Sequence, residues 1–590
     1  MGSPDCNPPR GFSHPGVFLS HAASPLNRQP EDESDSITFD GRIDNREDLI
    51  LRFRGHLRDR TSDAILALTA WEQLGAVGLA DLVGEWSLAI WDAERQTIVL
   101  ASDFAGTRPL YYCVQGGRAF WSTRLKPLVN WAEANEIDDE FVAGLLAAGG
   151  SPHRTPYRGI FSVPPAHVVS ISRDAVEARP FWKLPFADSI RYRRESEYEE
   201  HLRALFMDAV RSRLCTDAPV IAELSGGLDS SSVVCMAHHL IRRGQAEVPR
   251  LATLSYEHEG SLDTRFYTAV EQHCGFESIH VSTAAEPFLT ETRTGGTVPG
   301  FWECLHTRTA AAARRIGART CITGKLGDLV MGQWTDDSSQ VAGLLRRGEI
   351  GPAFRQALAW SKVLRIPISW VLWRALRLCL PAACVPASRC PVTDNPLAPA
   401  KFEDSVAPDF RKRLELSREH RFFSKDWMQA PPERRRHFRG LMESLELRKM
   451  QPPEALEHLY YTHPFLHRPL LTFMLSIPAE AVCGPGEPRR LMRRAFRELW
   501  PPELRKRRSK DMFGGVFLDS LRPLANRFLK APQRLQVVER GYVDPQNLTK
   551  RLELLSHSLE CNEPQLRHII LLETWLQARV SGAAPATLSA

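Results

Sequence analysis

An apolar run, Val220 to Leu224 (VIAEL), leads straight into Ser225-Gly226-Gly227-Leu228-Asp229-Ser230-Ser231 and then into a helical pattern from Ser231 to Arg243. A strand, a glycine turn and a helix in that order make an anion site. The two glycines let backbone N–H groups approach a phosphate closely. The helix N-terminus adds partial positive charge. Ser225, Ser230 and Ser231 offer hydroxyl donors. Asp229 would repel phosphate unless a cation lay between them, which points to Mg²⁺. The spacing is not that of a Walker loop, which places a lysine directly after its last glycine.

A second strand-then-glycine segment, Thr320 to Thr323 followed by Gly324-Lys325-Leu326-Gly327-Asp328-Leu329, carries the natural partner carboxylate, Asp328. Two carboxylates, phosphate oxygens and water suit an octahedral Mg²⁺. A third segment, residues 489–510, holds ten Lys or Arg against Glu498 and Glu503. Trp and Pro punctuate it, so it is not a low-complexity polyanion tail. Arg489 and Lys510 are its candidates for neutralising phosphate charge.

These segments need a scaffold. The stretch from Val220 to Thr323 alternates strand and helix: strands at Leu251–Tyr256, Ile279–Ser282 and Thr320–Thr323, helices at Asp263–Cys274 and Thr307–Ile316. Such alternation predicts a parallel sheet with helices on both faces and ligands at the carboxyl ends of its strands. Before it, to about Leu184, short β signals dominate, with one helix at Ser62–Leu74. A charged joint, Ala187 to Glu200, leads into a helix to Leu214. After it, from Gly343, the chain is mostly helical. With 43% hydrophobic and 25% charged residues, the chain of 590 excludes extensive disorder. A net charge of +5 over this length does not imply nucleic acid. The 12 cysteines form no disulfide or zinc framework, as in a reducing cytoplasm. Val363 to Val385 is apolar but carries Arg365, Arg374 and Arg377, so it reads as a buried or groove-lining helix, with peripheral membrane contact as the alternative, and not as a membrane span.

The glycine turn resembles the PP-loop, S-G-G-x-D-S-S, of the ATP pyrophosphatase family, which cleaves ATP between the α and β phosphates to form adenylates. The resemblance implies that Leu224, Ser225, Gly226, Gly227, Asp229, Ser230, Ser231 and Gly324 bind ATP, with Ser255 beside the adenine. It places Mg²⁺ on Asp229 and Asp328. Thr323 to Gly332 is similar to the second glycine loop of asparagine synthetases, with Leu326 in place of a glycine and Leu329 in place of a glutamate. Residues 489–510 resemble that family's basic segment, which makes Lys510 and Arg489 the expected catalytic cations. Asp40-Gly41-Arg42-Ile43-Asp44-Asn45, Gly84 to Asp92 and Asp103 to Tyr112 resemble class II glutamine amidotransferase domains. The implied fold class is α/β: an N-terminal αββα sandwich over 1–186, then a PP-loop parallel-sheet synthetase domain over 195–590 with its helical region at 343–590.

The glutaminase is expected to be inactive, because that chemistry uses a cysteine as the first residue and here Met1-Gly2 precede Cys6. The amine must then come from elsewhere, most simply from the substrate. Pro464-Phe465-Leu466-His467-Arg468-Pro469-Leu470 looks like the macrolactam synthetases of lasso peptide biosynthesis. That resemblance implies a precursor peptide substrate, a leader peptidase and a leader-binding protein as partners, no nucleic acid and a cytoplasmic location. The helices of Gly343 to Met450 would then hold the peptide. The rival readings are an asparagine-synthetase-like enzyme using ammonia or another small amine, a PP-loop enzyme acting on tRNA, and a degenerate scaffold. Glu457 and Tyr460, three apart, could meet on a helix, with capping or packing preferred for both. Structural roles are preferred for His463 and His467.

Overall fold

Along Ile37–Ile43 buried and half-buried residues alternate strictly, as in a strand with one face in a core. It pairs antiparallel with Gly84–Asp92, and Thr97–Ser102, His167–Ile171 and Val176–Pro180 complete a five-stranded sheet. Tyr111–Gln115, Arg118–Ser122 and Ile160–Ser162 form a smaller antiparallel sheet. Ala89, Leu100 and Val169 of the first sheet share a core with Leu110 and Val163. Helix Asp63–Leu74 covers the far face of the larger sheet through Leu66, Ala67 and Ala70. The computed structural model describes residues 10–14, 17–21, 36–57, 61–148, 150, 153–186, 190–283, 297–298, 303–332, 337–380, 405–414, 426–508, 514–557 and 564–580.

The second half is organised by a parallel sheet in the order Glu277–Ser282, Leu251–Glu257, Val220–Glu223, Thr320–Ile322, Tyr460–Thr462. After Val220–Glu223 the chain adds strands first on one side and then on the other. That reversal opens a crevice at the carboxyl end of this strand. Helix Leu228–Arg242 packs one face with Val233, Val234 and Leu240, and helix Glu303–Ile316 the other with Leu305, Ala310 and Ala313. Helix Glu195–Leu214 buries Leu202, Phe206 and Val210 at four-residue steps against the first of these layers.

Over its described residues, 363–380, the apolar segment departs from the reading as one buried helix. Arg365 takes a left-handed conformation (φ +56°) and ends helix Ile350–Leu364, and Pro367 opens a new helix at Ile368–Cys379. Only Val371 and Ala375 of that second helix are buried, while Trp370 and Trp373 stand half exposed. Among the described residues no helix is long and apolar enough to cross a membrane.

The two halves meet on buried charge. The Glu85 carboxylate accepts from Arg213 at 2.7 Å, from the Tyr460 hydroxyl at 2.6 Å and from the Thr462 hydroxyl at 2.8 Å. Arg213 also pairs with Asp44 at 3.2 Å, and Arg108 forks onto Asp40 at 2.9–3.1 Å. Arg42 and Arg108 lie over the Tyr460 ring at 5.6 and 5.3 Å. Burial alone would raise the Glu85 pKa, but Arg213 and Arg42 outweigh it and hold the group at about 2. Asp44 is held below the carboxylate range in the same way.

Glu85 therefore adds stability that is complete above its ordinary value of 4.5 and is lost as pH falls toward 2. Glu85→Ala should lower unfolding stability at neutral pH by about 3–5 kcal/mol, the usual cost of breaking a buried pair. Denaturant titrations at pH 7 and at about pH 3 should show the difference shrinking in acid. Equal melts of variant and wild type at pH 7 would refute the bridge.

Candidate functional site

The crevice at the strand reversal is lined by two turns, and both are shaped by glycine. Gly226 adopts φ +72°, and a Cβ there would sit 2.8 Å from the Asp263 carbonyl oxygen. The Ser225 N–H and the Gly227 N–H are held by the Ser230 and Ser225 hydroxyl oxygens at 3.1 and 3.3 Å. Leu224 is buried, and its N–H donates to the Leu254 carbonyl at 2.8 Å. Gly227 opens helix Leu228–Arg242 without a side-chain cap. The Ser231 hydroxyl is buried without a hydrogen-bond partner among the described residues, so its donor is not spent within the protein.

The second turn lies directly on the first. A Cβ on Gly324 would fall 2.5 Å from the Ser230 nitrogen, and one on Gly327 would fall 2.4 Å from the Asp229 carboxyl carbon. Leu326, standing where the resembling family has glycine, adopts φ +61° and is buried in the main core. The turn thus keeps a glycine-like backbone around a leucine, at a strain of roughly 1–3 kcal/mol that packing must offset. Leu329 packs toward Gly440, and its carbonyl accepts from the buried His437. Asp328 is exposed at the crevice, its carboxylate accepting from the Leu329 N–H at 3.0 Å.

Of the basic segment, Arg489 reaches the site. Its guanidinium pairs with the Asp229 carboxylate, and its backbone is left-handed (φ +55°) at the start of helix Arg490–Ala495. Arg507 was not foreseen; only its place in a basic run marked it. It is 3% exposed, donates to the Gly226 carbonyl and to Asp263 (2.5 Å), and lies over the Phe266 ring at 4.4 Å. Asp263, at the start of helix Thr264–Cys274, is thereby the anchor of that arginine. Arg493 serves the carbonyls of Pro488 and Arg507, and Arg490 and Arg494 pair with Glu195. Internal partners thus take up most of the described cations that could have met a polyanion. Lys510 lies outside the described residues, as does Cys6.

The Ser255 hydroxyl donates to Glu271 at 3.2 Å, which leaves its backbone groups as the part expected to meet an adenine. One expectation changes. Glu457 and Tyr460 do not meet, because Tyr460 starts a strand and not a helix turn. Tyr460 turns to Glu85, while Glu457 lies 3.6 Å from Arg124, its pKa pushed up to about 7 by burial and Glu454. His463 is structural: Thr323 lies 2.7 Å from one ring nitrogen and the Met450 carbonyl 2.8 Å from the other.

Asp229 and Asp328 fit a divalent cation as a pair of hard oxygen donors on touching turns. Among the described residues no group of three or more His, Cys, Asp or Glu forms a metal site by itself. That suits Mg²⁺, which takes most of its ligands from phosphate and water.

Comparisons with known proteins give the family. Residues 201–577 match the asparagine synthase family and residues 18–182 the glutamine amidotransferase domain. The chain belongs to the asparagine synthase family. It is 31% identical over 235 residues to glutamine-hydrolyzing asparagine synthetase 3 of Bacillus subtilis (strain 168), covering 38% of this chain and 37% of that protein. It is 32% identical over 189 residues to amidase chyE of Penicillium rubens, covering 31% of this chain and 28% of that protein. The matches thus span about a third of these relatives' lengths. A solved structure, the glutamine phosphoribosylpyrophosphate amidotransferase of B. subtilis with ADP and GMP, aligns at a TM-score of 0.20 and 14% identity, over 53% of this chain and 76% of that one.

The crossing of the turns yields a test. Gly327→Ala must displace the Asp229 carboxylate, so affinity for a fluorescent ATP analogue with Mg²⁺ should fall at least about 10-fold, or 1.4 kcal/mol. Unchanged affinity would show that the nucleotide does not use this turn.

Proposed function

We propose that this protein is an ATP-dependent, AMP-forming amide ligase that closes a macrolactam in a peptide of the lasso class. The observation that supports the reading is the crossing of the Ser225–Ser231 turn by the turn of Gly324 and Gly327 at Asp229, with Arg489 paired to that carboxylate. The N-terminus of helix Leu228–Arg242 and the unspent Ser231 hydroxyl hold the triphosphate. Asp229 and Asp328 are the residues that would hold Mg²⁺, which when bound would supply charge neutralisation for the phosphates. Arg489, and Lys510 by resemblance, stabilise the departing pyrophosphate. The acid side chain of the peptide takes AMP, and the peptide's own amino terminus displaces it. Holding both ends of one chain in place is worth a high effective molarity. The motif residues Asp40, Asp44, Glu85 and Arg108 of the N-terminal half are engaged with one another and with the synthetase half. That arrangement favours a structural use of this half.

A surface for the peptide is at hand. Phe354, Leu358, Trp370, Trp373 and Leu376 are exposed on the two helices over 350–379. Trp370 and Trp373 stack at 5.2 Å, with Arg377 over the latter at 4.6 Å. Exposed apolar area of this kind marks a binding face. The relatives named as asparagine synthetases favour a second reading, an asparagine-synthetase-like amidotransferase; with the glutaminase expected to be inactive, its nitrogen would come from free ammonia or another small amine.

Incubation with ATP, Mg²⁺ and a leader-free peptide bearing a free amino terminus and an Asp or Glu should give AMP, pyrophosphate and a product lighter by one water. Asparagine from aspartate and ammonium, with no such product, would establish the second reading. The Trp370→Ala, Trp373→Ala double variant should raise KM for the peptide by about 10-fold and leave KM for ATP unchanged, if the two rings are binding hot spots. An unaltered peptide KM would remove this face from the site.

A further inference from the structure

Behind the nucleotide turn, on the sheet face covered by helix Glu303–Ile316, lies a second set of ionisable groups that the scheme above does not use. Glu223 is the last residue of strand Val220–Glu223, two positions before Ser225. Its side chain shares a sheet face with Ile221, Cys321 and Tyr461, whose packing against helix Glu303–Ile316 buries most of that face. At the carboxyl edge this face ends in charge. The Tyr461 hydroxyl donates to Glu223 at 3.4 Å, and the Lys325 ammonium lies 4.6 Å from the centre of the Tyr461 ring. Tyr256 closes the far side, with its hydroxyl 2.7 Å from Thr309 on the covering helix. Ordinary strand interiors end in apolar residues, so a glutamate here needs a reason.

Glu223 and Lys325 are half-buried, and both stand on the turns that form the nucleotide site. Gly324, whose Cβ position is filled by Ser230, fixes where Lys325 departs. A group reaching Glu223 from the crevice would pass beside the phosphates of a nucleotide on Ser225–Ser231. We infer that Glu223 is the proton acceptor for the attacking amine of the ligation, with Lys325 and Tyr461 as its positioning residues; this rests on the reading above.

The step balances. An ammonium group gives one proton to the Glu223 carboxylate and becomes a neutral amine. Its lone pair forms the C–N bond to the acyl carbon, the C–O bond to AMP breaks, and AMP leaves with that electron pair. The remaining surplus proton on nitrogen goes to water. The groups facing Glu223 are Lys325, Tyr461, Tyr256 and Cys321, and His306 of the covering helix faces Lys325. Burial raises the Glu223 carboxyl while Lys325 and the Tyr461 hydrogen bond pull it down. Burial lowers Lys325, and Glu223 opposes that. His306 is pushed down to about 3, by burial first and Lys325 second, and stays neutral. A carboxylate raised by burial sits nearer the pH at which a base works best.

The test separates the two half-reactions. Carboxylate-dependent ATP–pyrophosphate exchange reads adenylation, with two acid probes: L-aspartate and an Asp-bearing peptide with a free amino terminus. Hydroxamate formation reads trapping by hydroxylamine, a nucleophile already neutral at pH 7. Amide formation, from ammonium or from the peptide's own amine, needs the base. In Glu223→Gln the ratio of amide formation to exchange should fall at least about 100-fold, the lower end for a lost general base. The ratio of hydroxamate formation to exchange should stay near wild type. An unchanged amide ratio, or equal losses of amide and hydroxamate, would overturn the assignment. If Glu223→Gln proves poorly folded, Lys325→Met decides: removing the cation should move the acidic limb of the amide pH profile to higher pH, and an unmoved limb overturns it. Absence of exchange in the wild type with both probes would instead defeat the parent reading, and this one with it.

Discussion

At Asp229 two turns cross with no space between them for a single methyl group. One turn follows strand Val220–Glu223 and the other follows Thr320–Ile322, neighbours in the parallel sheet. The contact fixes the position of a carboxylate, the entry of a helix and the departure of Lys325 together. Arg489 closes on Asp229 from the basic segment, and Arg507 ties the Gly226 carbonyl to Asp263. Main-chain atoms and buried ion pairs thus set the crevice. Such a site is already organised before a nucleotide arrives, and little ordering free energy is left to be spent on binding.

The N-terminal half contributes through charge that faces inward. Glu85, Asp44, Arg42, Arg108 and Arg213 form a buried network that ends on Tyr460 and Thr462 of the last sheet strand. A buried network is costly when any member is missing and specific when all are present. It holds that strand in register with Thr320–Ile322, and so holds the turn that carries Gly324 and Asp328. The amidotransferase-like segments persist in the sequence at the positions that make this contact. Their chemistry reads here as the joint between two domains.

Much of this was legible in the sequence because local rules decide it. The Ser225–Ser231 turn, the alternation from Val220 to Thr323 and the strands around Trp86 and Tyr111 follow from periodicity and turn residues, which depend on near neighbours alone. Side chains that act across long separations were not legible. Arg507 looked like any cation in a run until the fold brought it to Asp263, 244 positions away. Glu223 carries no signal of its own within the apolar run VIAEL. Tyr460 was assigned to a helix because three-residue spacing was read without the sheet that claims it. Val363 to Val385 misled through composition: its apolar count is that of a core helix, but Arg365 and Pro367 break it and turn its rings outward.

The central claim is that this crevice activates a carboxylate by joining it to AMP, and isotope transfer tests that most directly. Turnover of a substrate whose acid group carries oxygen-18 should place one labelled oxygen in the phosphate of AMP. Label recovered in inorganic phosphate or pyrophosphate, or wholly retained in the acid with AMP unlabelled, would contradict it.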